Sequence, residues 1–399
     1  MSTSVPPLAR TPEEWVEALE TLGGRAFHAR QIFRWLQGRS VLDPRRMTDL
    51  PTSLRENLAP LEMERTIEVA AERRAADDTR KLLVRMRDGA TVETVLIPGV
   101  TGPKGALPSP VASDRDPTFA AMEEGDEDDL EDEGPRAETM GASPAIRVTQ
   151  CISTQVGCAQ GCVFCASGVA GLKRNLGADE IVAQVLTGRA RLDAGERLTN
   201  VVYMGMGEPL ANYDATARSL RILTHPDGIA LSSRRVTVST SGLLPEIARL
   251  GQDFGGRVGL AISLHAADDD TRTRLMPINK KYPLAALMDA LRAYPLPPRR
   301  RITIEYTLVA GKNDTSLEAR KLVKLLRGLP VKVNLIPMNP IEASTLGPPE
   351  MSGVLGFQRI LCDAGYSCFI RRRRGDDVAA ACGQLALLGA KPKVRVNRA

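Results

Sequence analysis

Cys158, Cys162 and Cys165 stand in the run GCAQGCVFCASG as C-x3-C-x2-C. Thiolates at this spacing suit three corners of an iron–sulfur cubane. No fourth cysteine follows nearby, so one iron would keep an open coordination position. An electron carrier closes all its irons, whereas a cluster with one open iron binds something and reacts with it. Zinc is the plainer alternative. It takes four ligands, usually as two close-spaced pairs, and His28, His225 and His265 lie in unrelated segments that complete no second pair. A disulfide framework fits less well still, because seven cysteines in 399 residues is a sparse and odd number. The opening run MSTSVPPLARTPEEW has no apolar signal core, and no stretch reaches membrane-spanning length, so a cytoplasmic chain with reduced thiols is expected.

The elements that must hold this loop are legible as a pattern. Strand-like runs cover residues 147–154, 198–207, 234–242, 258–266, 301–310, 331–339 and 366–374, with amphipathic helical runs between them. Near-continuous apolar strands alternating with helices predict an α/β fold with a parallel sheet, as an open or partial barrel of about six βα units. Chemistry in such folds gathers where strands end, and the cysteine loop follows the first strand. Upstream, residues 12–75 read as helical, with Trp15, Leu19 and Leu22 and then Phe27, Ile32, Phe33 and Leu36 at helical spacing. Residues 81–98 read as a hairpin turning at Asp88 and Gly89.

Charge is unevenly spread. The chain carries +5 overall, but residues 99–146 hold twelve acids against three bases, leaving +14 on the remainder. That basic remainder points to a polyanionic partner, RNA or DNA first, with plain solubility as the alternative. The acidic segment is poor in apolar residues and reads as a disordered surface insertion. It either competes with RNA for the basic surface or serves as a spacer.

Longer motifs in fixed order add a family. CISTQVGCAQGCVFCASG, VVYMGMGEPLANYD, VTVSTSG, AISLHA, PINKKYPL, NLIPMNP and RGDDVAAACGQL together resemble the RlmN/Cfr-type radical S-adenosylmethionine RNA methyltransferases. FHARQIFRWLQG and MTDLP are similar to the RlmN branch. The resemblance implies a partial (β/α)6 radical-SAM barrel over 147–390 and a small helical N-terminal RNA-binding accessory domain over 1–80. It leaves a β-hairpin extension over 81–98, the acidic insertion over 99–146 and a basic tail over 391–399. The activity implied is methylation of carbon-2 of adenine 2503 in 23S rRNA and of adenine 37 in some tRNAs. Carbon-8 methylation, as in the Cfr branch, and a non-catalytic iron–sulfur RNA-binding regulator are the alternatives.

By the same resemblance, a 4Fe-4S cluster is held by Cys158, Cys162 and Cys165, and two S-adenosylmethionine molecules are consumed per turnover. One methylates Cys382, and the second yields a 5′-deoxyadenosyl radical that activates that methyl group. Cys151 resolves the protein–RNA adduct through a transient disulfide, and Glu93 accepts the proton. Gly207, Glu208, Ser239, Ser263, Leu264, His265 and Asn339 bind S-adenosylmethionine. A reduced flavodoxin- or ferredoxin-type protein supplies the electron, and the chain acts as a monomer off the membrane. Read without the family, Cys151 could be a core residue, Glu93 an exposed carboxylate beside Arg85 and Arg87, and His265 a satisfied strand-end histidine. Cys362 and Cys368 read as packing residues. Residues 371–374 form a four-arginine run in which a strand would turn alternate side chains toward RNA.

Overall fold

Apolar strands too hydrophobic to show water need helices packed over their sheet. The structure, a computed structural model describing residues 5–99, 145–341, 344–371 and 373–385, has that architecture. Its strands are β1 (Ile67–Arg74), β2 (Arg80–Met86), β3 (Thr91–Pro98), β4 (Ile146–Cys151), β5 (Gln155–Val156) and β6 (Arg174–Asn175). They continue as β7 (Glu196–Tyr203), β8 (Val236–Thr240), β9 (Gly259–Ser263), β10 (Ile302–Leu308), β11 (Val331–Pro337) and β12 (Ser367–Ile370). Among the described residues ten strands form one sheet, in the order β1-β2-β3-β4-β7-β8-β9-β10-β11-β12. From β4 to β12 neighbouring strands run parallel. β1, β2 and β3 extend the β4 edge as an antiparallel meander. The acidic segment, for residues 100–144, and the tail at 391–399 lie outside the described residues.

The N-terminal helices are α1 (Pro12–Leu22), α2 (Ala26–Phe33) and α3 (Thr52–Leu58). Thr11 caps α1 and Glu14 reaches back to the Thr11 amide at 2.9 Å, a capping box with Pro12 at the first helical position. Trp15 and Leu19 from α1 and Ile32 and Phe33 from α2 are buried together. Their cluster includes Val182 and Leu186 from α5 (Ala178–Arg189) and Ile222 from α6 (Tyr213–Leu223), so the helical unit is docked on the barrel's outer helices. Arg218 clamps Glu14 at 2.7 Å and Arg189 donates to the Gln37 carbonyl at 2.8 Å across that seam. α4 is Ala166–Ala170, and α7 to α11 are Leu244–Phe254, Asp269–Leu275, Leu284–Arg292, Ser316–Leu325 and Met351–Asp363.

Several expectations change. The helical N-terminal unit ends before β1, which pairs with β2 and turns the expected hairpin into a three-stranded meander. β1 was hidden because a register shift between Val69 and Ala71 breaks its alternation and its second half is exposed. Phe27 is exposed, and His28 takes the buried place beside it. Among the described residues the strand-like run at 366–374 is strand over Ser367–Ile370, and Arg373 and Arg374 lie beyond it. Arg374 instead approaches Asp77 at 3.8 Å. Cys368 is buried in the core, but Cys362 is exposed, one position off the α11 stripe of Val354, Phe357 and Leu361.

Candidate active site

The apolar runs at 198–207, 234–242 and 258–266 outlast the hydrogen-bonded ladder. Their last residues form loops at the carboxyl ends of β7, β8 and β9, around one cavity that the cysteine loop also borders. β5 and β6 pair antiparallel and draw the two ends of the cysteine loop together. Gly157 turns with φ +79°, and a Cβ there would lie 1.9 Å from the Gly171 carbonyl oxygen, so the loop closes only with glycine. Behind it, Val163 N donates to the Leu275 carbonyl at 3.2 Å. Cys158 is buried, and Cys162 and Cys165 are half-buried. Burial pushes the Cys158 thiol up to about 12 and lifts Cys162 and Cys165 as well, with neighbouring thiols adding to the first two. Thiols that resist ionising separately give up their protons when a metal neutralises them. Among the described residues no three His, Cys, Asp or Glu side chains converge on a single ion. Thiols at separate corners of a cubane do not need to.

The strand ends are held by buried polar bonds. Gly207 (φ +104°) passes so close to Gln155 that a Cβ would lie 2.6 Å from the Gln155 Cβ, and Gln155 Oε1 accepts from the Glu208 amide at 2.8 Å. Glu208 is buried, with Oε2 accepting from Ser241 N at 2.7 Å and Oε1 from Leu210 N at 3.1 Å. Burial raises its pKa, and these bonds pull the other way. Ser239 and Ser263, on adjacent strands, bring their hydroxyls to 3.5 Å.

His265 has φ +56°, a left-handed conformation costly for a residue with a side chain. Its Nδ1 accepts from Thr307 N at 2.8 Å, and its carbonyl accepts from Asn313 Nδ2 at 2.7 Å. Burial drops its pKa to about 3. The neutral ring, accepting at Nδ1, therefore carries its proton on Nε2. Leu264 does not line the cavity; fully buried, it offers only backbone, its carbonyl accepting from Arg272 Nε at 3.1 Å.

Opposite lies the segment that bears Cys382. Its start is fixed to the β1–β2 turn by Gly375 N donating to Asp77 Oδ2 at 3.1 Å, and to β2 by Lys81 Nζ donating to the Ala379 carbonyl at 3.0 Å. Its end is fixed to the cysteine loop by Ala166 N donating to the Gly383 carbonyl at 2.8 Å and Ser167 Oγ to the Leu385 carbonyl at 2.7 Å. Asn339 Nδ2 donates to the Cys382 carbonyl at 2.9 Å. Cys382 is accessible from the cavity while the surrounding walls and the Glu305 charge push its thiol up. Cys151, at the end of β4, is buried, and its thiol is raised first by burial and then by the neighbouring charge of Cys382. Cys151 pairs with Val95 across β3. Glu93 lies two residues before Val95 and is buried, not exposed, in an ion pair with Lys81 at 3.0 Å. Neither Cys151 nor Glu93 borders the cavity itself.

Residues 152–323 match the model of the Radical SAM superfamily, and residues 11–62 match the ribosomal RNA large subunit methyltransferase N-terminal domain. The dual-specificity RNA methyltransferase RlmN of Sorangium cellulosum is 66% identical over 394 residues, covering 99% of this chain and 98% of that protein. The chain belongs to the RlmN family. The RlmN of Syntrophobacter fumaroxidans is 43% identical over 94% of each chain. A crystal structure of a radical SAM methyltransferase from Sphaerobacter thermophilus superposes with a TM-score of 0.80 at 40% identity, covering 96% of this chain and 99% of that one. As an RlmN-type chain the protein is a radical S-adenosylmethionine RNA methyltransferase, a class that implies a 4Fe-4S cluster and S-adenosylmethionine. The residues fit both groups. Three thiols share one loop, and the cavity beside them is lined by Asn339, whose buried Oδ1 finds no partner among the described residues. A polar ligand would satisfy it. No helix among the described residues is long and apolar enough to cross a membrane.

Sequence reasoning missed Arg272 and Glu305. Arg272 is fully buried and spans the strand ends, donating to the Ser241 carbonyl at 2.7 Å and to Asn279 Oδ1 at 3.0 Å. Nothing in DDDTRTRL announces this. Glu305 had a signal: one acid inside the apolar run RITIEYTLVA.

Proposed function

We propose that this chain methylates carbon-2 of adenine 2503 in 23S rRNA and of adenine 37 in some tRNAs, using a methyl group carried on Cys382. The observation that carries the reading is that Cys382, nearly 220 residues after Cys165, borders the same cavity as the three-cysteine loop, with Cys151 close enough to feel its charge. Cys158, Cys162 and Cys165 would hold the cluster. Glu208 would pair with the ammonium of S-adenosylmethionine, while Gly207, Ser239, Ser263, Leu264, His265 and Asn339 position the rest, Leu264 through its backbone. Bound together, these groups supply one-electron cleavage of a sulfonium, which leaves a carbon radical able to take a hydrogen atom. A displacement is closed to adenine carbon-2, which offers no lone pair, so such chemistry is what the substrate requires.

Cys382 then presents an activated methyl carbon to the base, and Glu93, held as a carboxylate partner of Lys81, takes the proton from carbon-2. Cys151 attacks the Cys382 sulfur: the S–S bond forms, the bond from sulfur to the transferred carbon breaks, and that carbon takes up a proton to become the methyl group of the freed adenine, leaving a disulfide. Two S-adenosylmethionine molecules are consumed, and a reduced flavodoxin- or ferredoxin-type protein supplies the electron. The chain works as a monomer in the cytoplasm. Anaerobic turnover on unmodified 23S rRNA and tRNA, with the product mapped by mass spectrometry and NMR, tests this. Methyl on carbon-2 is expected. A carbon-8 product, or none with both groups bound, overturns it.

A further inference from the structure

Two acids border the cavity, Glu208 and Glu305, and the reaction above uses only one. Glu305 sits on β10 between Ile304 and Tyr306, both fully buried, and is itself only 6% exposed. A carboxylate in such a strand is costly unless its charge has a partner or a task. Asn334 on β11 fixes it, donating from Nδ2 to Oε1 at 2.9 Å. The charges of Arg371 and Lys332 favour its ionised form against burial, which raises its pKa. Glu305 and Cys382 border the same cavity, and the Glu305 charge is the largest influence on the Cys382 thiol after burial. The other charges facing Cys382 are those of Arg371, Cys165 and Cys151.

We propose that Glu305 is the general base that removes the proton from Cys382 as its sulfur is methylated. The proposal rests on the reading that Cys382 carries the methyl group. Only the thiolate is a competent nucleophile, and Cys382 sits where a thiol resists ionising, so a nearby acceptor is needed. In the step, the Cys382 S–H bond breaks and its proton passes to the Glu305 carboxylate. The sulfur lone pair forms the new S–CH3 bond. The methyl–sulfonium bond of the donor breaks, and its electron pair stays on the donor sulfur as a neutral thioether. No electron from outside is required.

The test uses holoenzyme reconstituted with iron and sulfide in the absence of S-adenosylmethionine, so that Cys382 starts as a free thiol. S-adenosylmethionine is added without reductant, and Cys382 methylation is followed by peptide mass spectrometry across pH. Alkylation of the same thiol by iodoacetamide is measured in parallel. Glu305→Gln should slow methylation about 10²- to 10⁴-fold, as for loss of a general base. Alkylation by iodoacetamide, which also needs the thiolate, should slow along with it. Methylation by Glu305→Gln should rise tenfold per pH unit as the thiol ionises unaided, and Glu305→Asp should recover part of the wild-type rate. A purely electrostatic Glu305 predicts the reverse, because loss of its negative charge eases ionisation of the thiol and speeds both reactions. Wild-type methylation with Glu305→Gln equally fast or faster overturns the proposal. Wild-type enzyme that never methylates Cys382 overturns the reading beneath it instead.

Discussion

The two walls of the cavity are held in different ways. On the strand-end wall three groups are anchored by buried hydrogen bonds: Glu208 to two amides, His265 to Thr307 and Asn313, Arg272 to the carbonyls of Ser241 and Leu264. On the opposite wall, residues 375–385 are held mainly through their backbone, including the carbonyls of Cys382 and Gly383, and the Cys382 side chain stays accessible. The first wall is part of the core and must keep its shape for the protein to stay folded. The second is a strap across the site, where chemistry is sensitive to change and stability is not.

Substitutions on each side separate these properties. Cys382→Ala should bring RNA methylation to background while changing unfolding free energy by no more than about 0.5 kcal/mol, the usual range for an exposed side chain. Rate and urea denaturation measured on the same preparation check both halves. Arg272→Met on the other wall should lower stability by about 3–5 kcal/mol, because it strands several buried acceptors at once. A loss under about 1 kcal/mol would erase the distinction between the walls.

His265 gives the strand-end wall a pH signature. Its folded pKa of about 3 lies below the ordinary unfolded value, so as pH falls the unfolded chain takes the proton first. Its stabilising contribution is complete above about pH 6.5 and is lost toward pH 3, at about 1.4 kcal/mol per unit. His265→Asn should flatten that part of the stability curve in urea titrations from pH 7 to 4; an unchanged slope would mean the imidazole is not buried neutral. The smallest expected effect is on the strap. Asn339→Ala removes the bond to the Cys382 carbonyl and should cost about 1 kcal/mol, with a visibly larger loss of methylation rate. Equal losses in both would place Asn339 with the core.

Much of this site was legible from types and spacing. The cysteine loop and the strand-end residues announced themselves because chemistry there needs particular side chains on the chain's own punctuation, glycines and strand ends. What stayed hidden was whatever depends on tertiary approach. Arg272 looks like any helix arginine until the strand ends close over it. Glu93, on the same hairpin as Arg85 and Arg87, is buried because β3 is covered on both faces over residues 92–96, and there it meets Lys81. The strand β1 was missed because an edge strand with a bulge carries no hydrophobic alternation. The pairing of residues 375–385 with the β1–β2 turn joins segments nearly 300 residues apart and has no local signal at all.

A single-turnover reaction of Cys151→Ala enzyme with unmodified 23S rRNA goes to the heart of the strap's role. With the resolving thiol gone, the methyl carbon should remain bonded to both the Cys382 sulfur and the adenine, and mass spectrometry should find a protein–RNA adduct at Cys382. Free methylated RNA released at the wild-type rate with no adduct, or methylation surviving in Cys382→Ala, would contradict a methyl group carried on this cysteine.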